Sequence, residues 1–365
     1  MAEESVLFIS NQDQERLLTM ETCIGALEEA FREEKLGWAT NRTKASMHVP
    51  TTTPNARYRW CGMEGALGHK GIVAVRMYSD MALSQMMEGK RRHEKYCVRP
   101  GRYCGLVLLF STEDAAPLAI LNDGYIQHMR VAATHAVATK YLARENARIL
   151  GILGSGGMAW THAEAMFKVR QLQKIKTYSP NQEHCQRFAS QASRSLGVPV
   201  EPMGNPEAVV QGSDMVAACT NSNDPIVLGS WLEEGVHVSS VVAGSQEMDD
   251  GALRKVDLYI VYRSPVSEHY FAMPEEKRYP SFGGTTAGLV ERECHLIGDD
   301  KIHDLGEVLL GETPGRTNSR QITYASSEGT GVQFAALAHR VYQRAREEGM
   351  GRKLPLDWFL QDLKT

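Results

Sequence analysis

Apolar positions change their spacing several times along this chain. Over residues 1–37, Leu17, Met20, Ile24, Leu27 and Phe31 recur at helical intervals and predict helical structure, with Asn11 and Thr22 as candidate caps. From Thr43 to about Ile120 the texture becomes short apolar runs punctuated by glycine and proline. The runs 71–77 (GIVAVRM) and 105–110 (GLVLLF) predict strands joined by turns. A helical stripe returns at 129–145, where Met129, Ala133, Ala136, Val137 and Tyr141 share a face and small alanines allow close packing.

After Arg148 the pattern alternates. Residues 149–153 read as a strand, 157–169 as a helix, 174–178 as a strand and 181–196 as a helix; 215–218, 236–242 and 258–261 are short apolar runs of the buried-strand kind. Strands alternating with helices predict a parallel sheet covered on both faces. Residues 262–300 break the rhythm and read as an irregular excursion packed against the other domain; 329–348 reads as a helix. There is no internal repeat. A chain of 365 residues predicts two domains.

The first chemistry lies in 149–159, ILGILGSGGMA, a G-x-G-x-x-A between a strand and a helix. Gly154 permits a tight turn, Gly156 lets backbone N–H groups approach a pyrophosphate, and Ala159 is small enough for helix and strand to touch. With the positive end of the helix behind it, the turn predicts dinucleotide binding through Gly154, Ser155, Gly156, Gly157 and Met158. The next strand ends in Tyr178-Ser179-Pro180-Asn181, without the acid that commonly holds a ribose 2′-OH. Ser179 and Asn181, with Arg187 as counter-charge, suit a 2′-phosphate, so NADP is favoured over NAD; the bland reading is that Ser-Pro caps a helix. The strand-end loops at Thr220 and at Ala243-Gly244-Ser245 are expected to flank the nicotinamide.

Charge narrows the partners. Forty basic against forty-four acidic side chains leave a net charge of −4, which does not call for nucleic acid, and no apolar run approaches membrane-spanning length. The seven cysteines are scattered without CxxC pairs, and the opening residues carry acids without a basic n-region; together they predict a reduced, cytoplasmic protein. Twelve histidines show no metal-ligand spacing, so no metal is expected. Lys90, Arg91, Arg92, Lys95, Arg99 and Arg102 form a basic run, read either as a lid for a second acidic group of a substrate or as a solvated loop.

The run from Arg130 to Ala143 (RVAATHAVATKYLA), the glycine turn that follows it, 304–311 (DLGEVLLG) and Pro314-Gly315-Arg316 resemble the ornithine cyclodeaminase/μ-crystallin family. The resemblance implies an α/β fold: a Rossmann doubly wound parallel sheet (127–311) inserted into a second α+β domain for substrate binding and dimerisation (1–126 with 312–365). It implies a homodimer using NAD or NADP on a small amino or imino acid. Family members include cyclodeaminases, amino-acid dehydrogenases, imine and ketimine reductases, and a ligand-binding lens protein. Arginines at Arg42 and Arg130 are expected to hold the substrate carboxylate, and Ser327 joins the coenzyme contacts. Arg130 is also expected to open a helix, where a cation is disfavoured by up to ~1 kcal/mol unless it meets an anion; the competing reading is an ion pair with Asp123. Where the family has a lysine facing the substrate, this chain has Arg76, a fixed cation, with Lys70 as the alternative proton carrier. Where cyclodeaminases carry an aspartate, this chain has Ser245, with Glu247 two residues on. That departure favours a reductase or dehydrogenase over an ammonia-releasing lyase or a non-enzymatic binding protein.

Overall fold

The structure, a computed structural model, describes residues 5–87, 90–220, 222, 224–241, 247–262, 268–272 and 286–363. Its strands are β1 (Ser5–Ile9), β2 (Ala39–Asn41), β3 (Ala45–Pro50), β4 (Ala56–Leu67), β5 (Ile72–Met87), β6 (Lys90–Tyr96), β7 (Cys104–Ser111), β8 (Pro117–Asn122), β9 (Ile149–Leu153), β10 (Lys174–Tyr178), β11 (Val200–Pro202), β12 (Met215–Ala218), β13 (His237–Ser240), β14 (Leu258–Tyr262), β15 (Glu268–Phe271), β16 (Ile302–Asp304), β17 (Thr323–Ser327) and β18 (Arg352–Pro355). They form two sheets. The larger runs β15-β3-β4-β5-β7-β8-β1-β18, with β2 and β6 pairing β4 and β5; the other runs β11-β10-β9-β12-β13-β17-β14-β16. In the second sheet every pairing is parallel, as the alternating pattern after Arg148 requires.

Several expectations are corrected here. Residues 5–9 form a strand instead of the start of a helix, because β1 is completed by distant partners, β8 in parallel and β18 antiparallel. The caps are Ser10, in a reciprocal pair with Asp13, and Thr19, in place of Asn11 and Thr22. Asn11 instead accepts the N–H of Tyr125 at 3.0 Å, satisfying the start of the Gly124–Leu142 helix. That helix begins nearly two turns before Arg130, so the argument from a cation at a helix N-terminus does not apply to Arg130. The excursion after Tyr262 is partly regular: β15 adds in parallel to β3 of the other sheet, and Thr286–Ile297 is a helix. β17, which follows the boundary expected at 311/312, lies between β13 and β14 in the parallel sheet.

Two helices join the sheets. Gly124–Leu142 is buried on almost every side, with Ala132, Ala133, Ala136 and Val137 at 0% exposure. A helix apolar all round belongs in a core, and its alanines let it lie close to both neighbours. The Gly331–Glu348 helix follows β17 after three residues and packs on β4 and β5. Its entry is tight: a Cβ on Gly331 would lie 2.0 Å from the Glu64 carbonyl carbon, and one on Gly65 would lie 2.3 Å from Gly331 backbone. Among the described residues no helix is long and apolar enough to cross a membrane.

Candidate active site

The glycine turn follows β9. Gly154 has φ +120°, and a Cβ there would stand 2.5 Å from the Cys219 carbonyl oxygen, so only glycine makes this turn. Gly156 is the N-cap of the Gly157–Val169 helix, and a Cβ there would meet nothing within 4 Å. The turn therefore leaves open space above the first N–H groups of a helix, the shape and partial charge that a pyrophosphate needs. Ala159 is fully buried where helix meets strand. Of the residues expected around the adenosine, Asn181 is occupied as the N-cap of Gln182–Leu196, accepting the His184 N–H at 2.9 Å. Ser179 is half-buried and Arg187 exposed at the same strand end.

Thr220 donates both its N–H and its hydroxyl to Glu247, at 3.0 and 2.7 Å, and Ser240 donates to the other oxygen of that carboxylate. Glu247 is buried and braces the ends of β12 and β13 together, so it does not stand in for the cyclodeaminase aspartate. Ala243, Gly244 and Ser245 lie outside the described residues.

Ser327, the last residue of β17, joins a directional chain. The Met158 carbonyl takes the proton of His162 Nδ1 at 2.7 Å. His162 Nε2 must then accept from His135 Nδ1 at 2.8 Å, and His135 Nε2 accepts from the Ser327 hydroxyl at 3.3 Å. Burial keeps both rings neutral, His162 pushed down to about 4 and His135 well below its usual value.

The arginines meet where the two sheets face. Arg76 is buried and donates from Nε and Nη2 to Asp123 Oδ2, at 2.8 and 2.5 Å, with its guanidinium over the rings of Tyr78 and Phe334. Burial opposes its charge most strongly, but Asp123, Tyr103 and Tyr78 together outweigh it and raise its pKa. Asp123 is bonded to Arg76 and makes no ion pair with Arg130, although its charge still favours the Arg130 guanidinium from a distance. Arg130 is buried against neutral partners only: Gln127 Oε1 at 3.0 Å, Gln333 Oε1 at 3.2 Å and the Phe334 ring at 5.4 Å. Among the described residues no carboxylate pairs with it. Desolvation, then the neighbouring Arg76, push it down to about 9. A buried guanidinium without an acid partner is costly until an anion arrives. Gly329 leaves it room, since a Cβ there would press within 3.0 Å of Nη2.

Two expected residues are not brought into this cluster. Lys70 pairs with Glu29 at 2.5 Å, beside Arg340 and away from Arg76. Arg42 is 64% exposed and pairs with Glu64 at 3.0 Å. Sequence reasoning missed Gln127, Gln333 and Phe334, which surround the Arg130 guanidinium, and Lys44, half-buried just before β3. Strand alternation was the available signal for Lys44, because it is in phase with the buried Ser46 and His48.

Residues 4–349 match the model of the ornithine cyclodeaminase/mu-crystallin family. The chain belongs to that family. It is 32% identical over 254 residues to a Delta(1)-pyrroline-2-carboxylate reductase of Bacillus cereus, covering 68% of this chain and 74% of that protein. It is 26% identical over 353 residues to an alanine dehydrogenase of Archaeoglobus fulgidus, covering 95% and 98%. Among solved structures, the Delta(1)-pyrroline-2-carboxylate reductase of Thermococcus litoralis, in complex with NADH and L-proline, superposes with a TM-score of 0.78 at 26% identity over 96% of this chain and 100% of that one. These likenesses agree with the two-sheet α/β architecture of this family member.

Proposed function

We propose that this family member is an NAD(P)-dependent oxidoreductase acting on the C–N bond of a small amino or imino acid. One observation carries the reading: Arg130 is a buried guanidinium with only neutral hydrogen-bond partners, on the helix whose His128 abuts the glycine turn at Gly157, where Gly156 leaves open space over a helix N-terminus. The relatives named as pyrroline-2-carboxylate reductase and alanine dehydrogenase support the reaction class. The coenzyme would rest on Gly154–Met158, with Thr220 and Ser327 at the strand ends toward its nicotinamide, and it supplies hydride when bound.

The chain's own residues supply alignment. Arg130 grips the substrate carboxylate with its planar fork, lowering the entropic cost of reaching attack geometry. Arg76, locked by Asp123, adds a fixed positive field. The hydroxyl proton of Ser327 is committed to His135, which leaves its oxygen an acceptor. The missing acid at the end of β10 favours NADPH over NADH. A homodimer fits the exposed Met47, Val49 and Tyr270, which adjoin on β3 and β15.

The test is oxidation of NADH and NADPH with Δ1-pyrroline-2-carboxylate and a panel of cyclic and linear imino acids, with and without ammonia. Turnover is expected, with a higher kcat/KM for NADPH. Ammonia release from a diamino acid without net coenzyme change would identify a lyase instead. Tight ligand binding without turnover of any imino acid would identify a binding protein.

A further inference from the structure

The glycine turn holds one glycine that its motif does not require. G-x-G-x-x-A needs Gly154 for the turn, Gly156 for the close approach of a pyrophosphate and Ala159 for packing, whereas position 157 is free. The structure gives Gly157 a neighbour of its own. A Cβ there would stand 2.9 Å from Nε2 of His128 and 3.1 Å from its Cδ2. The imidazole therefore lies against the bare Cα of the first residue of the Gly157–Val169 helix. We infer that His128 is a ligand of the coenzyme pyrophosphate, and that coenzyme binding places a proton on its ring. The inference rests on the coenzyme reading above.

Local geometry fixes the ring. His128 lies one turn into the Gly124–Leu142 helix, with Nδ1 2.8 Å from the Gly124 carbonyl oxygen. A carbonyl only accepts, so Nδ1 carries the hydrogen, and in the neutral ring Nε2 keeps its lone pair. The side chain is half-buried, and Nε2 makes no hydrogen bond among the described residues and reaches solvent.

The position of Nε2 follows from helix geometry. Cα–Cβ bonds of a helix tilt toward its N-terminus, so the Cβ position of the first residue lies past the helix end. An atom 2.9 Å from that position stands beside the N–H groups of the first turn, where an anion is favoured. No side chain caps those groups from Gly156, and nothing lies within 4 Å of the Gly156 Cβ position. The ring borders the open space without filling it.

Charge sets the protonation state. A lone pair on Nε2 repels phosphate oxygens, while the N–H of an imidazolium gives them a charge-assisted hydrogen bond. The groups around the ring leave this task open. On the neighbouring helix, burial keeps His162 neutral, at about 4. On its own helix, Arg130 bonds Gln127 and Gln333. Ahead of that helix, Asp123 is held by Arg76, and Asn11 and Asn122 are neutral. Among the described residues no carboxylate pairs with His128, so the bound pyrophosphate is the anion that retains the proton. Solvent supplies that proton, and no covalent bond of the coenzyme changes. By linkage, the proton strengthens coenzyme binding as much as the coenzyme strengthens proton binding.

The test is isothermal titration calorimetry with NAD between about pH 5 and 8, the range in which imidazoles change charge. NAD has no 2′-phosphate, so the ligand's own charge stays constant across it. Wild-type affinity should rise about 10-fold or more as pH falls through the range. Buffers of different ionisation enthalpy should reveal proton uptake on binding. His128→Gln offers a neutral donor that cannot titrate. It should keep the wild-type Tm, bind with a Kd independent of pH and take up no proton. His184→Gln, at the adenosine end, should leave the pH dependence in place. A wild type that binds NAD without pH dependence or proton uptake overturns this inference alone. So does a His128→Gln that retains both, or a His184→Gln that loses them. A wild type that binds neither NAD nor NADP overturns the coenzyme reading and this inference with it.

Discussion

Single residues carry the chemistry of the cleft, and their partners make the sharpest predictions. Arg130→Ala should remove about 2–5 kcal/mol of carboxylate recognition, visible as a loss of kcat/KM and of the thermal shift produced by L-proline. Arg130→Lys keeps charge but not the planar fork and should recover only part of it. Asp123→Asn strands the buried Arg76 charge and should cost about 3–5 kcal/mol in urea unfolding. Burial also holds His162 at about 4 and His237 at about 3, below the usual 6.5. Between those values the unfolded chain binds the protons that the folded chain refuses. The contribution of these histidines should therefore be flat above pH 7 and become destabilising as pH drops from about 6.5 toward 4, by roughly 1.4 kcal/mol per pH unit for each. Urea midpoints across that range check the slope, and His237→Asn should flatten part of it.

At the scale of elements, the glycine turn separates two requirements that a sequence motif merges. Gly154→Ala drives a Cβ into the Cys219 carbonyl and should lower Tm and abolish coenzyme binding together. Gly156→Ala has space in the free protein and should leave Tm near wild type while weakening NADPH binding, because the methyl group takes the place of the pyrophosphate. Calorimetry with and without coenzyme distinguishes the two. This turn was legible because every part of it is local: β9, the glycines and the 157–169 helix are contiguous. The strand β1 was not, since its four apolar residues after Ser5 have no period of their own and only β8 and β18, far along the chain, decide their form. The Arg76–Asp123 pair was hidden for the same reason, its members standing 47 positions apart. Arg130 was found by resemblance, although the helix-end argument offered for it fails once the helix begins at Gly124.

Across the whole molecule, the exposed Met47, Val49 and Tyr270 should lie within a dimer contact, so Met47→Asp should shift sedimentation from dimer toward monomer. The single path from β17 to the Gly331–Glu348 helix matters differently. Where it crosses β4, Gly65 and Gly331 meet backbone to backbone. No rotamer cushions that crossing, so it behaves as a rivet. Phe334, in the first turn of that helix, is the ring against which both Arg76 and Arg130 are stacked, so the crossing fixes the wall the two arginines share. A methyl group at position 65 or 331 has no space beside the facing backbone and should displace that wall, lowering Tm and L-proline binding together.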